Sequence, residues 1–233
     1  MTVCNKFVKS KVTSIILCSS KELRITFVFI IDDMDALQVI TYTGVFVFAV
    51  TGVLKSRTKR FDIFGAVVLA FVTAYGGGTI RDLLIGVRPV NWVNDNLAIV
   101  IVLFSTIITF FFKLNTTLIK KLIFLVDAFG IGLFTVAGIQ IALQAGISSG
   151  YSLVMGIITA TFGGLLADVL CNKVPGLLKP GELYATACLI GGSLYLLMVK
   201  YHLQSETSMI IGILITASIR IYAIRKKLQL PRI

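Results

Sequence analysis

From residue 36 to residue 224 the chain alternates long apolar stretches with short polar breaks. Seven stretches approach the roughly 20 mainly apolar residues that a helix needs to cross hydrocarbon. They run over about 36 to 54, 61 to 83, 96 to 113, 122 to 144, 150 to 172, 183 to 200 and 207 to 224, and they predict seven transmembrane helices. Ahead of them, Val12 to Leu17 and Leu23 to Ile31 are apolar runs too short to span a bilayer, set among Lys6, Lys9, Lys11, Lys21 and Arg24. Residues 1–33 therefore read as an N-terminal extension outside the fold. Met34 reads as an alternative start, because Met34-Asp35-Ala36 leads straight into the first helix.

One polar island interrupts the second stretch: Gly76-Gly77-Gly78-Thr79-Ile80-Arg81-Asp82. An offset of 86 residues carries Gly77, Gly78 and Asp82 onto Gly163, Gly164 and Asp168. The same offset places Gly44 on Gly130, Phe48 on Phe134, Gly52 on Gly138, Thr73-Ala74 on Thr159-Ala160 and Pro89 on Pro175. Apolar residues align by chance in membrane sequences; glycine, aspartate and proline in one ungapped register do not. The chain thus divides into a first three-helix repeat (34–114), a second (115–201), and a seventh helix with a basic tail (202–233). Three spans per copy is an odd number, so the copies must lie oppositely in the membrane. Each glycine costs about 1 kcal/mol relative to alanine inside a helix, so the second and fifth helices are expected to bend or break at Gly76–Gly78 and Gly163–Gly164. The expected fold is an all-α membrane protein of two inverted three-helix repeats plus one helix.

Composition narrows the class. A mean hydropathy of +0.94 with 14% charged residues excludes an ordinary soluble core. The net charge of +11 reads as topology and not as a nucleic-acid surface, because the cations fall into alternate loops. One side holds Lys55, Arg57, Lys59 and Arg60, then Lys113, Lys120 and Lys121, then Lys173 and Lys179, then Arg220, Arg225, Lys226, Lys227 and Arg232; the other holds Arg81, Arg88 and Lys200. By the positive-inside rule the first set is cytoplasmic, with the N-terminus outside and the C-terminus inside. Cys4, Cys18, Cys171 and Cys188 show no metal-binding spacing and His202 stands alone, so no cofactor or metal site is expected. No nucleophile and base pair suggests an enzyme.

The candidate chemistry is the pairing of glycines with acids. Gly78 and Asp82 are four residues apart, as are Gly164 and Asp168, so each pair shares a helix face. A carboxylate in mid-span costs about 2.5–3.5 kcal/mol on insertion scales, so Asp82, Asp127 and Asp168 should face a wet path or a partner. Opened backbone at Gly76, Gly77, Gly78, Gly163 and Gly164, with Thr79 beside it, would offer oxygens to a cation. Arg81 reads either as a gate that pairs with a carboxylate or as an interfacial anchor. Asp127 reads either as a pathway acid, matched in the first copy by Thr41, or as a partner of Lys120 or Lys121. Gly130, Gly132 and Gly191 read as packing notches, and Trp92 as an interfacial anchor.

The Gly-Gly-Gly-x-x-Arg-Asp run with Gly86 and Pro89, the second Phe-Gly-Gly with Asp168 and Pro175, and Asp127-Ala-Phe-Gly-x-Gly-Leu-Phe resemble the prokaryotic branch of the trimeric intracellular cation channels. The resemblance covers about residues 35–225. It implies a homotrimer in the plasma membrane, with a pore in each subunit, kinked second and fifth helices, and potassium and other monovalent cations as the permeant species. The alternative is a secondary transporter for a small solute such as glycine, since such transporters also use inverted repeats with paired broken helices.

Overall fold

The computed structural model describes residues 35–111, 116–179, 183–226 and 228, without the side chains of Thr116 and Lys120. The extension at 1–33 lies outside the described residues. Among the described residues are seven α-helices: α1 (Ala36–Thr58), α2 (Ile63–Ile85), α3 (Asn96–Phe111), α4 (Thr116–Gln144), α5 (Ser149–Leu170), α6 (Tyr184–Lys200) and α7 (Ser205–Arg225). Each predicted span falls on one of them. Five are long and apolar enough to cross a membrane, while α3 and α6 are apolar but shorter. At a rise of about 1.5 Å per residue their helical parts alone fall short of a hydrocarbon core about 30 Å thick.

Local chemistry sets the ends. The Asp62 side chain accepts the Gly65 N–H at 2.7 Å and caps the start of α2. Gly86 closes α2 in the left-handed region, φ +78°, where its N–H reaches the carbonyls of Asp82 and Leu83. Asp95 accepts the Ala98 N–H at 3.0 Å and caps α3. Short 3-10 turns follow α2 and α5, at Asn91–Asn94 and Gly176–Leu178.

α4 packs on α5, α1 and α7, and α2 packs on α5 and α1. The centre is an edge-on ring pair, Phe48 and Phe134, with centroids 4.8 Å apart. Each ring lies on a glycine of the other helix: a Cβ on Gly44 would stand 2.5 Å from Phe134, and one on Gly130 would stand 2.5 Å from Phe48. Outside, Phe104, Phe111, Ile190, Leu197 and Leu214 are exposed, a surface suited to hydrocarbon.

The expected break is absent: α2 and α5 are continuous through Gly76–Gly78 and Gly163–Gly164. The glycines serve close approach instead. A Cβ on Gly77 would lie 2.1 Å from the Thr159 carbonyl oxygen, and one on Gly163 would lie 2.2 Å from that of Thr73. Contact between two helix backbones offsets the propensity cost that sequence alone assigns to a glycine run.

Candidate functional site

The two packed glycines mark the crossing of α2 and α5, and charged residues lie towards both ends of it. At one end a cavity of about 70 Å³ is lined from α1 by Thr41 and Val45, from α2 by Tyr75, Gly78, Arg81 and Asp82, and from α4 by Phe134 and Ile141, with Asn91, Trp92, Asp95 and Ala98 closing it. Asp82 is 1% exposed. Its Oδ1 accepts Arg81 Nε at 2.9 Å and Nη2 at 2.7 Å, and its Oδ2 accepts the Asn91 N–H at 2.9 Å. A buried charge persists where it is paired and hydrogen-bonded on both oxygens, and Asp82 meets that condition. Thr79 donates to the Tyr75 carbonyl and accepts from Trp92 Nε1 at 3.0 Å, so its hydroxyl holds the indole in place. Trp92 is a half-buried internal pin, packed edge-on against Phe71, in addition to any interfacial role.

At the other end Asp168 Oδ2 accepts the Gly176 N–H at 3.0 Å, while its Oδ1 meets Lys55 Nζ at 2.8 Å. The same ammonium points at the Gly164 carbonyl, 3.4 Å away. Glycine carbonyl and aspartate carboxylate thus converge on one monovalent cation, supplied by α1. Beside them Tyr184 donates to Asp127 Oδ1 at 3.0 Å, and Arg220 Nη2 lies 3.9 Å from Asp127 Oδ2. The Arg220 guanidinium also stacks 4.5 Å above the Tyr184 ring. Lys173 donates to Thr58, and Arg57 to the carbonyls of Thr109 and Phe110, so the C-terminal ends of α1, α3 and α5 gather here. That is the grouping of basic loops the charge pattern predicts.

The ten residues selected from the sequence separate into roles. Gly78, Arg81 and Asp82 line the cavity. Gly77 and Gly163 form the crossing, Gly76 faces Leu166, and Gly164 faces the Tyr184 hydroxyl. Asp127 and Asp168 are neighbours at the far end, within electrostatic reach of Lys55. Asp127 is held by Tyr184 and Arg220, so adjacency to Lys121 does not identify its partner; the Lys120 side chain lies outside the described residues. Lys55, Tyr184 and Arg220 escape sequence reasoning, since two of them resemble topology-setting cations and one an apolar aromatic. A signal existed for Arg220, which precedes the last turn of its helix inside the apolar stretch, whereas Lys55 lies in the last turn of its own.

Comparison with known proteins bears on both halves. A family model described as glycine transporter matches residues 38–113 and again 124–200. The two starts are 86 residues apart, 124 minus 38. A membrane protein of Vibrio cholerae, UPF0126, is 38% identical over 85% of this chain and 83% of its own length. The inner membrane protein YadS of Escherichia coli K12 is 37% identical over 81% of this chain and 91% of its own. Among solved structures, the crystal structure of the TRIC trimeric intracellular cation channel orthologue from Rhodobacter sphaeroides superposes with a TM-score of 0.78 at 34% identity, covering 82% of this chain and 98% of that one. The chain belongs to the prokaryotic trimeric intracellular cation channel family. A second prokaryotic TRIC channel, crystallised in 0.5 M KCl, gives a TM-score of 0.76 at 32% identity over 83% of this chain. As a TRIC family member the chain is a membrane protein, all-helical among the described residues.

Proposed function

We propose that the protein is a passive, potassium-permeable monovalent cation channel, with a pore in each subunit of a homotrimer in the plasma membrane. One observation carries the reading: a carboxylate and a glycine carbonyl on α5 converge on a single ammonium group, that of Lys55. Ammonium and potassium carry the same charge in similar size, so the oxygens that hold Lys55 would also replace part of the hydration shell of a passing potassium ion. Lys55 then acts as a tethered cation that occupies the path until it withdraws. Arg81 plays the corresponding part at Asp82. The description of the superposable structures as cation channels supports the same reading.

The architecture follows from the repeat. Reciprocal contacts at an offset of 86, Gly44 on Phe134 with Gly130 on Phe48, and Gly77 on Thr159 with Gly163 on Thr73, support two three-helix repeats related by an axis in the membrane plane. The basic loops support an orientation with the Asp168 end in the cytoplasm and the Asp82 cavity outside.

Single-channel recording of the purified protein in planar bilayers under a potassium gradient tests this, with Asp82→Ala/Asp168→Ala alongside. Unitary currents that reverse near the potassium potential and change in the variant are expected. Silent bilayers with folded, inserted protein would overturn the reading. A carrier is the second reading, favoured by the glycine transporter description of the matching family model, and saturable, gradient-coupled glycine uptake would establish it.

A further inference from the structure

The cavity at the Asp82 end contains a group with nothing to bind. Tyr75 lines it and is 6% exposed, yet its buried hydroxyl has no hydrogen-bond partner among the described residues. A buried hydroxyl left without a partner is costly, and one facing a cavity is completed by whatever enters. Two carboxylates border the same space, Asp82 and Asp95, against the one guanidinium of Arg81. Arg81 is committed to Asp82. Asp95 accepts the Ala98 N–H and a hydrogen bond from the Tyr42 hydroxyl, both neutral donors, so the net charge facing an occupant is negative and centred on Asp95.

Apart from Thr41, Asn91 and Thr159, the rest of the wall is apolar and aromatic. Trp92 and Tyr75 stand with ring centroids 5.7 Å apart, and Phe134 contributes a third ring. An alkylammonium needs one carboxylate for its NH₃⁺ head and an aromatic surface for its methyl group. At about 30 Å³ per water-sized occupant, a cavity of about 70 Å³ admits two or three heavy atoms.

We propose that this cavity binds a short primary ammonium ion, its head between Asp95 and the Tyr75 hydroxyl and its carbon against Trp92 and Phe134. The assignment concerns binding and holds whether or not the protein conducts, so it stands apart from the channel reading.

Calorimetric titration of the full-length protein in detergent with methylammonium chloride, at constant ionic strength, tests it. Saturable binding is expected, weakened at least about tenfold by Asp95→Asn, the loss of one charge-assisted hydrogen bond, and weakened less by Tyr75→Phe. Asparagine still caps α3 and phenylalanine keeps the ring, so both variants should retain the wild-type melting temperature. Tetraethylammonium, too large for the space, should not compete. Glycine, whose carboxylate has no place beside Asp95, should not compete either, and competition at the methylammonium affinity would overturn the assignment to a simple amine. No saturable binding, or binding unchanged in both folded variants, would overturn the site. Channel currents without methylammonium binding would remove this inference alone; binding without currents would remove the channel alone.

Discussion

Thr73 and Gly163 meet backbone to backbone: a Cβ on Gly163 would stand 2.2 Å from the Thr73 carbonyl oxygen. Neither main chain can yield without parting α2 from α5. Gly163→Ala, and likewise Gly77→Ala, should destabilise the protein by about 1–3 kcal/mol or more, the usual range for overpacking. Gly78→Ala provides the contrast, since the nearest atom to its Cβ would be Arg81 Nη2 at 3.7 Å. Alanine there should leave stability equal or raise it by up to about 1 kcal/mol through helix propensity. Thermal unfolding in detergent decides; equal losses at 77 and 78 would refute the packing role.

The Lys55–Asp168 pair is nearly buried, with side-chain exposures of 11% and 15%. Removing one partner strands the other, at a cost of about 3–5 kcal/mol for a buried pair. Lys55→Met and Asp168→Asn should each lower the melting temperature, and the double variant should lose less than the sum. In bilayers Lys55→Met should raise open probability, because the tethered cation is gone. Additive melting losses would show that the two side chains do not interact.

Asp127 depends on α6 and α7. Tyr184→Phe deletes one hydrogen bond to it and should cost about 1–3 kcal/mol. Arg220→Gln removes the cation, 2% exposed in place, and should cost more, about 3–5 kcal/mol. Arg220→Lys should rescue only part of that loss, since a lysine ammonium cannot reproduce the guanidinium's stacked, planar contact with Tyr184. Full rescue by lysine would reduce Arg220 to a point charge.

Arg81 supplies two of the donors that hold Asp82. Arg81→Ala should raise open probability at fixed voltage, the Asn91 contacts keeping the carboxylate in place. Gating indistinguishable from wild type would leave Arg81 a purely structural partner.

The seven helices were legible because a bilayer imposes length and hydropathy on each of them, and the basic loops were legible because charge is excluded from hydrocarbon. The glycine run was visible but its meaning was not. A run of three glycines reads as a broken helix until the facing helix is known, and Thr159 lies 82 residues beyond Gly77. Asp127 is a buried acid, and its partners come from two helices further along the chain. Local sequence reports what a residue costs in the membrane; the partner that offsets the cost is a property of packing.

α7 has no counterpart in the first three helices, yet it delivers Arg220 to one end alone. Two copies of a bundle facing opposite ways, as proposed, would present identical doors to the two compartments and pass current with no preferred direction. The odd helix makes one door unlike the other. Sidedness is thus strengthened by an arginine on the last helix, beyond the differences the two copies already carry, Thr41 against Asp127 and Arg81 against Ala167. A channel without it would rectify less.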